Sequence, residues 1–357
     1  YILVADAYQN YIDASPGPLD SEILEMKGDS LMEASEAENA RLAYLEALET
    51  VQPANSDALQ IKIARAASEA GDDADAINRY WTLLENSTSD YIRAQANLLL
   101  GQIYLRLEMP EQAYARFQDS VTRFPTYYDT YSGLVALVEA GQPVSDLMRG
   151  IVDFYAGQYS LAIIALERYM MENPDHDGTP LYYKALSHWK LGEYDLEIAT
   201  WDVLIEVHPL DQYLATAHLE KASSLWRYLQ DYEGAANTLL TYVARYPDAT
   251  RAAEFLSLAG DIYEIGGYLS RAIESWQRVF NEYPGAIEAY PALFKAGIVH
   301  YRMQKYEEAR VTFQRLLVLA TTPEDQAAAN FWIAKCLEVE ADQEQAATYY
   351  QQASAAD

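Results

Sequence analysis

Residues 98–125 read "LLLGQIYLRLEMPEQAYARFQDSVTRFP". Gly101 is followed three residues on by Tyr104; Ala113 comes nine later, Phe117 four later and Pro125 eight later. This spacing predicts two helices packed antiparallel. The small Gly and Ala let the two backbones approach closely, and the bulky ring fills the hole between one hairpin and the next. Pro125 ends the second helix, because proline has no N–H to donate and its ring clashes with the preceding turn.

The pattern recurs along the chain. Residues 259–284, "AGDIYEIGGYLSRAIESWQRVFNEYP", place Gly260, Tyr263, Gly267, Ala272, Trp276 and Pro284 in the same order. Residues 296–317 supply Gly297, Tyr306, Ala309 and Phe313, without the proline. Residues 149–174 supply Gly150, Gly157, Ala162 and Pro174, and residues 225–247 supply Trp226, Ala235 and Pro247. Weaker copies lie at Gly28/Ala40/Tyr44 and Ala76/Tyr80, and a last copy at Ala346, Tyr350 and Ala353. Residues 1–16 fit the second helix of a unit whose first half is not in the sequence, closed by Pro16. The small residue returns every 37 positions at Ala235, Ala272, Ala309 and Ala346. From Ala113 to Ala162 the interval is 49, and it holds one more amphipathic helix, "TYYDTYSGLVALVEAG", stopped by Gly141 and Pro143.

These signatures resemble tetratricopeptide repeats, whose usual period is about 34 residues. The expected fold is therefore all-α: an α–α superhelix of about nine hairpins plus one extra helix, each hairpin touching only its neighbours. The expected organisation is N-terminal repeats over 1–127, the extra helix or joint over 128–142, and C-terminal repeats over 143–357, in one continuous solenoid. Thirty tyrosines need a place, and Tyr44, Tyr80, Tyr104, Tyr263, Tyr306 and Tyr350 fall on packing positions. One repeat breaks the rule: in "LGEYDLEIATWDVLIEVHP" (191–209) the small position falls on Glu197. Two readings stand. Either the helix rotates and Glu197 reaches solvent, or Glu197 is a paired or functional carboxylate at a local widening.

Composition bounds the function. The net charge of −29 repels nucleic acid and anionic lipid, so no nucleic-acid partner is expected. No apolar run is long enough for membrane insertion. The single cysteine, Cys336, excludes an internal disulfide and reads as a buried inert thiol. The first residue is Tyr1, so a mature form or a piece of a longer protein is expected. There is no phosphate-binding glycine loop, no zinc-type cysteine pair and no nucleophile elbow. The five histidines include no i, i+4 pair, and neither a metal nor a cofactor is expected. The chain reads as a non-enzyme.

The repeat family presents first-helix positions on its concave side. Carried onto this chain, that feature implies Phe154, Tyr155, Tyr182, Trp189, Lys190, Arg227, Tyr228, Phe294, Tyr301 and Arg302 as binding candidates. Aromatic rings beside single cations suit sugars or peptide side chains. The Lys/Asn/Arg set that grips acidic C-termini is missing: the corresponding positions hold Leu98, Gln102, Tyr182, Leu186, Glu220 and Ser224.

Residues 133–209, from "GLVALVEAG" to "IEVHP", and residues 331–357, "FWIAKCLEVEADQEQAATYYQQASAAD", resemble the superhelical region of bacterial soluble lytic transglycosylases. The resemblance spans about residues 130–357. It implies a cell-envelope location and a non-catalytic arm that guides peptidoglycan strands or positions a catalytic domain. That domain's signatures, a Glu-Ser helix opening and a Gly-Leu-Met-Gln run, are not in this sequence, so no catalytic residue carries over. The acid/base Glu of such an enzyme would lie beyond Asp357. The tail's outer face, including Tyr349, is then expected to meet that domain. The alternative is a free-standing scaffold for a protein partner in the bacterial envelope.

Overall fold

The computed structural model describes residues 1–14, 17–50 and 56–356. Among these residues there are twenty α-helices and no strand. Two compact units are formed, Tyr1–His176 and Asp177–Asp357. The first contains α1 (Ile2–Ala14), the hairpins α2 (Asp20–Glu33)/α3 (Ala37–Thr50), α4 (Ser56–Glu69)/α5 (Asp73–Asn86) and α6 (Asp90–Arg106)/α7 (Pro110–Arg123), then α8 (Tyr128–Glu139), and the hairpin α9 (Asp146–Tyr155)/α10 (Tyr159–Glu172). The second contains α11 (Thr179–Leu191)/α12 (Tyr194–Val207), α13 (Leu214–Arg227)/α14 (Tyr232–Arg245), α15 (Ala252–Ile265)/α16 (Leu269–Glu282), α17 (Ala289–Arg302)/α18 (Tyr306–Leu319) and α19 (Pro323–Val339)/α20 (Gln343–Ala356). Nine hairpins, one leading helix and one extra helix match the repeat count in the sequence. Pro16 and Asp357 lie outside the described residues.

Glycine and ring meet as a pair inside four of the hairpins. A methyl group added to Gly101 would stand 2.3 Å from the Phe117 ring, and the same holds for Gly28 against Tyr44, Gly260 against Trp276 and Gly297 against Phe313, at 2.3–2.6 Å. Each ring follows its glycine by sixteen residues and comes close to a backbone that has no side chain. The ring also reaches onward. Phe117 covers Gly133 of α8, and Phe313 stacks on Trp332 of the next hairpin at 5.7 Å. The small second-helix positions Ala40, Ala76, Ala113, Ala162, Ala235, Ala272 and Ala309 are all fully buried, and Ala346 nearly so.

Each hairpin turn carries one residue in the left-handed region. In four turns it is glycine: Gly71, Gly157, Gly192 and Gly267. In the other five it is Ser35, Glu108, Gln230, Gln304 or Ala341, where the Cβ makes the conformation cost about 1 kcal/mol. Gly141, after α8, has φ +66° and closes its helix with Gly141 N–H to Val138 O and Gln142 N–H to Leu137 O. Gly192 closes α11 in the same way. α8 is thus built and ended as a first helix. Thr130, Gly133, Leu134 and Leu137 bury its inner face, and it packs on α6 and α7 as the next repeat's first helix would.

The longer inter-hairpin connections of the second unit have a purpose that the sequence did not reveal. Tyr246 donates its hydroxyl to Pro209 O at 2.9 Å, and Tyr283 donates to Pro247 O at 2.9 Å. The tyrosine of each Tyr-Pro turn therefore ties its own turn to the one before.

Candidate functional site

The ten sequence candidates are divided between the two units. Phe154 and Tyr155 belong to the first unit, with ring centroids 5.3 Å apart and Tyr155 exposed. The other eight belong to the second. Three of these rings are half-buried and pack within the stack. Tyr182 lies parallel to Tyr213 at 4.1 Å, Phe294 sits edge-on to Phe313 at 6.0 Å, and Tyr301 sits edge-on to Trp332 at 5.3 Å. Arg302 is held by Glu264 at 2.6 Å. Trp189, with Lys190 4.6 Å above its ring, remains half-buried. Arg227 covers Trp226 at 5.0 Å. Tyr228 is 43% exposed although it stacks on Tyr194 at 4.0 Å with the rings nearly parallel. Surface is left at Trp189, Lys190, Arg227 and Tyr228 in the second unit, alongside the ion-paired Arg302, and at Tyr155 in the first.

Charges along the first helices are largely consumed by one another. Lys295 of α17 donates to both oxygens of Asp261 on α15 at 2.7 and 2.8 Å, and Asp261 also accepts from Trp276 Nε1 at 3.0 Å. Lys335 pairs with Glu338 at 3.0 Å, and Tyr350 donates to the same carboxylate. Arg251 grips Glu254 through two bonds of 2.7 and 2.8 Å. Ion pairs between successive repeats fix their register more than their stability, since exposed pairs contribute at most about 1 kcal/mol each.

Glu197 is buried, with 1% of its surface exposed. The helix does not rotate it into solvent, which corrects the first of the two sequence readings. Trp201, one turn on, donates Nε1–H to Oε1 at 2.9 Å, and the Ser224 hydroxyl from α13 approaches both oxygens at 2.9 and 2.7 Å. Burial raises its carboxyl above the usual range, Ser224 and Trp201 oppose that rise, and the charge of Glu220 adds to it. Burial thus makes the charged form of this carboxyl less favourable than it is for an exposed glutamate. Glu197 stands where the neighbouring hairpins have the fully buried Ala162 and Ala235.

In the first unit, a cleft of about 630 Å³ opens along α2 and α4, lined by Tyr1, Asp29, Glu33, Tyr44, Lys62, Arg65 and Glu69 among others. Sequence reasoning missed it, because these repeats match the consensus weakly. Lys62 bonds Glu25 and Asp29. Tyr44 donates to Asp29 at 2.8 Å, and burial with that bond pushes its phenol upward. Asp153 of α9 is a second buried acid. It is 2% exposed, its Oδ2 has no hydrogen-bond donor, and Arg149 stays 3.8 Å away, so burial pushes the carboxyl to about 6. The Cys336 thiol is fully buried and pushed up to about 12. Among the described residues, no group of three or more His, Cys, Asp or Glu side chains is placed to hold a metal ion, and no helix is long and apolar enough to cross a membrane.

The tetratricopeptide-repeat family model matches residues 61–128 and 294–357. Together these cover less than half of the chain. No curated protein matches it. Similar solved structures include MamA, at 17% identity over 48% of this chain and 93% of that one, with a TM-score of 0.34. The TPR domain of P58(IPK) is 16% identical over 94% of this chain and 92% of that one, with a TM-score of 0.29. A tetratricopeptide repeat protein from Parabacteroides merdae ATCC 43184 is 14% identical over 73% and 92%, with a TM-score of 0.32. The chain carries tetratricopeptide repeats folded as all-α hairpins.

Proposed function

We propose that the chain is a non-catalytic scaffold whose first-helix faces hold a protein partner. The observation that carries this reading is the part-exposed aromatic and cationic set at Trp189, Lys190, Arg227 and Tyr228. It lies on a stack whose other polar groups mostly satisfy one another. Rings held rigidly at a surface give contact area at small entropic cost. The test is affinity capture with the whole chain, followed by measurement of complex mass. A stoichiometric protein partner, weakened by Trp189→Ala or Tyr228→Ala, supports the reading. Recovery of no partner, or of one indifferent to both changes, sinks it.

The finer reading makes this scaffold the arm of a cell-envelope lytic transglycosylase that contacts peptidoglycan strands. What supports it is the resemblance over residues 130–357, together with rings suited to sugar faces. Its test is binding of purified glycan strands. Strands that fail to bind the wild type, or that bind Trp189→Ala equally well, overturn it.

A further inference from the structure

Glu220 lies in the body of α13, half-buried, on the same first-helix face as Arg227 and Tyr228. Other carboxylates on this face have cation partners: Glu254 has Arg251, Asp261 has Lys295, Glu264 has Arg302 and Glu338 has Lys335. Glu220 makes no hydrogen bond or ion pair among the described residues. Two cations stand close enough to act on it through space, Arg227 and Arg251. Neither bonds to it. Arg251 is committed to Glu254 and to the Phe255 ring at 4.6 Å, and Arg227 to the Trp226 ring at 5.0 Å.

Withdrawing a carboxylate from water without giving it a partner is unfavourable to the free protein. Such a group is explained when a ligand completes it. A cation brought by a partner would find a desolvated acceptor there, with the Tyr228 ring face and Trp226 on the same helix. The whole chain carries −29, which favours approach of a basic partner and opposes an acidic one.

We propose that Glu220 is the anchor for a lysine or arginine side chain in a basic, extended segment of a protein partner. This deepens the scaffold reading and rests on it. The free protein holds the acceptor open, and the bound segment supplies the missing charge.

The test uses the whole chain, a fluorescein-labelled oligolysine peptide and a matched oligoglutamate peptide at low salt. Glu220→Gln is compared with Glu206→Gln, which removes an equal charge from the exposed side of α12. The expected result is about tenfold weaker oligolysine binding for Glu220→Gln, and less than about a twofold change for Glu206→Gln. Thermal unfolding of Glu220→Gln should be unchanged or shifted upward, since the unpaired carboxylate is gone. The proposal is overturned by equal losses in both variants, by absence of oligolysine binding, by equal binding of oligoglutamate, or by a fall in thermal stability of Glu220→Gln. A captured partner that binds Glu220→Gln as well as the wild type also ends the proposal while leaving the scaffold reading intact. A wild type that captures no partner ends the scaffold reading.

Discussion

The Ser224 hydroxyl of α13 lies 2.7 Å from Glu197 Oε2 and 2.9 Å from Glu197 Oε1 on α12, joining two hairpins through a polar contact inside the helix interface. A hydroxyl has one proton and can accept another. With a single proton it donates to one oxygen of the Glu197 carboxyl at a time, both oxygens lying within reach. We predict that Ser224→Ala destabilises the fold by about 1–3 kcal/mol, because it strands a buried acceptor. With Glu197→Ala already present, Ser224→Ala should cost far less, since alanine serves at this point in neighbouring repeats. Urea unfolding of both single variants and the double variant measures the coupling. Additive effects would contradict the contact.

Asp153 gives a pH signature in the first unit. Its carboxyl is raised from 3.8 to about 6, so the folded chain holds the proton more tightly than the unfolded chain does. The associated stability is present below 3.8 and is lost as pH rises through about 6. Asp153→Asn removes this dependence. The variant is expected to be more stable than wild type at pH 7, by on the order of 2–3 kcal/mol, with the gap falling to about half by pH 5 and closing toward pH 4. Thermal melts across that range decide the matter, and a constant gap would refute the assignment.

Gly101→Ala tests the close approach of α6 and α7. The added methyl would stand 2.3 Å from the Phe117 ring, which is itself sandwiched against Gly133. Overpacking of this kind costs about 1–3 kcal/mol. The disturbance should reach α8, read as faster amide exchange at Leu134 and Leu137. Protection unchanged at those two amides would show that Phe117 yields locally.

Tyr246→Phe and Tyr283→Phe each remove one hydroxyl bond to the preceding turn. Each is expected to cost about 0.5–1.5 kcal/mol, and the double change should cost nearly the sum, since the two bonds share no partner. Chemical denaturation reads the cost. No effect in either variant would mean that water replaces the bond at no loss.

The hairpins were legible because their packing needs residue types at fixed intervals. Gly101 with Phe117 and Gly260 with Trp276 announce a backbone and a ring in contact, whatever surrounds them. Ala113 and Ala272 do the same for the second helix. Glu197 was not legible. Register gives its position, but its burial depends on Ser224, 27 residues away in the next hairpin, and on Trp201 donating along the same helix. The left-handed turns at Glu108 and Gln304 were also hidden, because no glycine marks them. Among the candidate rings, sequence placed Tyr182 and Tyr301 on the right helices. It had no means of telling that Tyr213 and Trp332 already occupy their faces. The sequence reading met Glu220 at a first-helix position where an acid-gripping clamp would need a different residue. Its free carboxylate emerged once the salt bridges around it were known.

The tyrosine bonds of the second unit make each Tyr-Pro turn an interchangeable joint. Deleting residues 247–283 would place Tyr246 directly before Pro284, restoring the same dipeptide with one whole period removed. Tyr246 would keep its acceptor at Pro209, and the chain downstream would enter the next hairpin in phase. We predict that this shortened protein folds cooperatively with undiminished helicity per residue by circular dichroism, whereas a deletion shifted by half a period gives a loosely packed product. The 37-residue interval would then be a unit of inheritance, by which such a protein can lengthen or shorten without redesigning any of its seams.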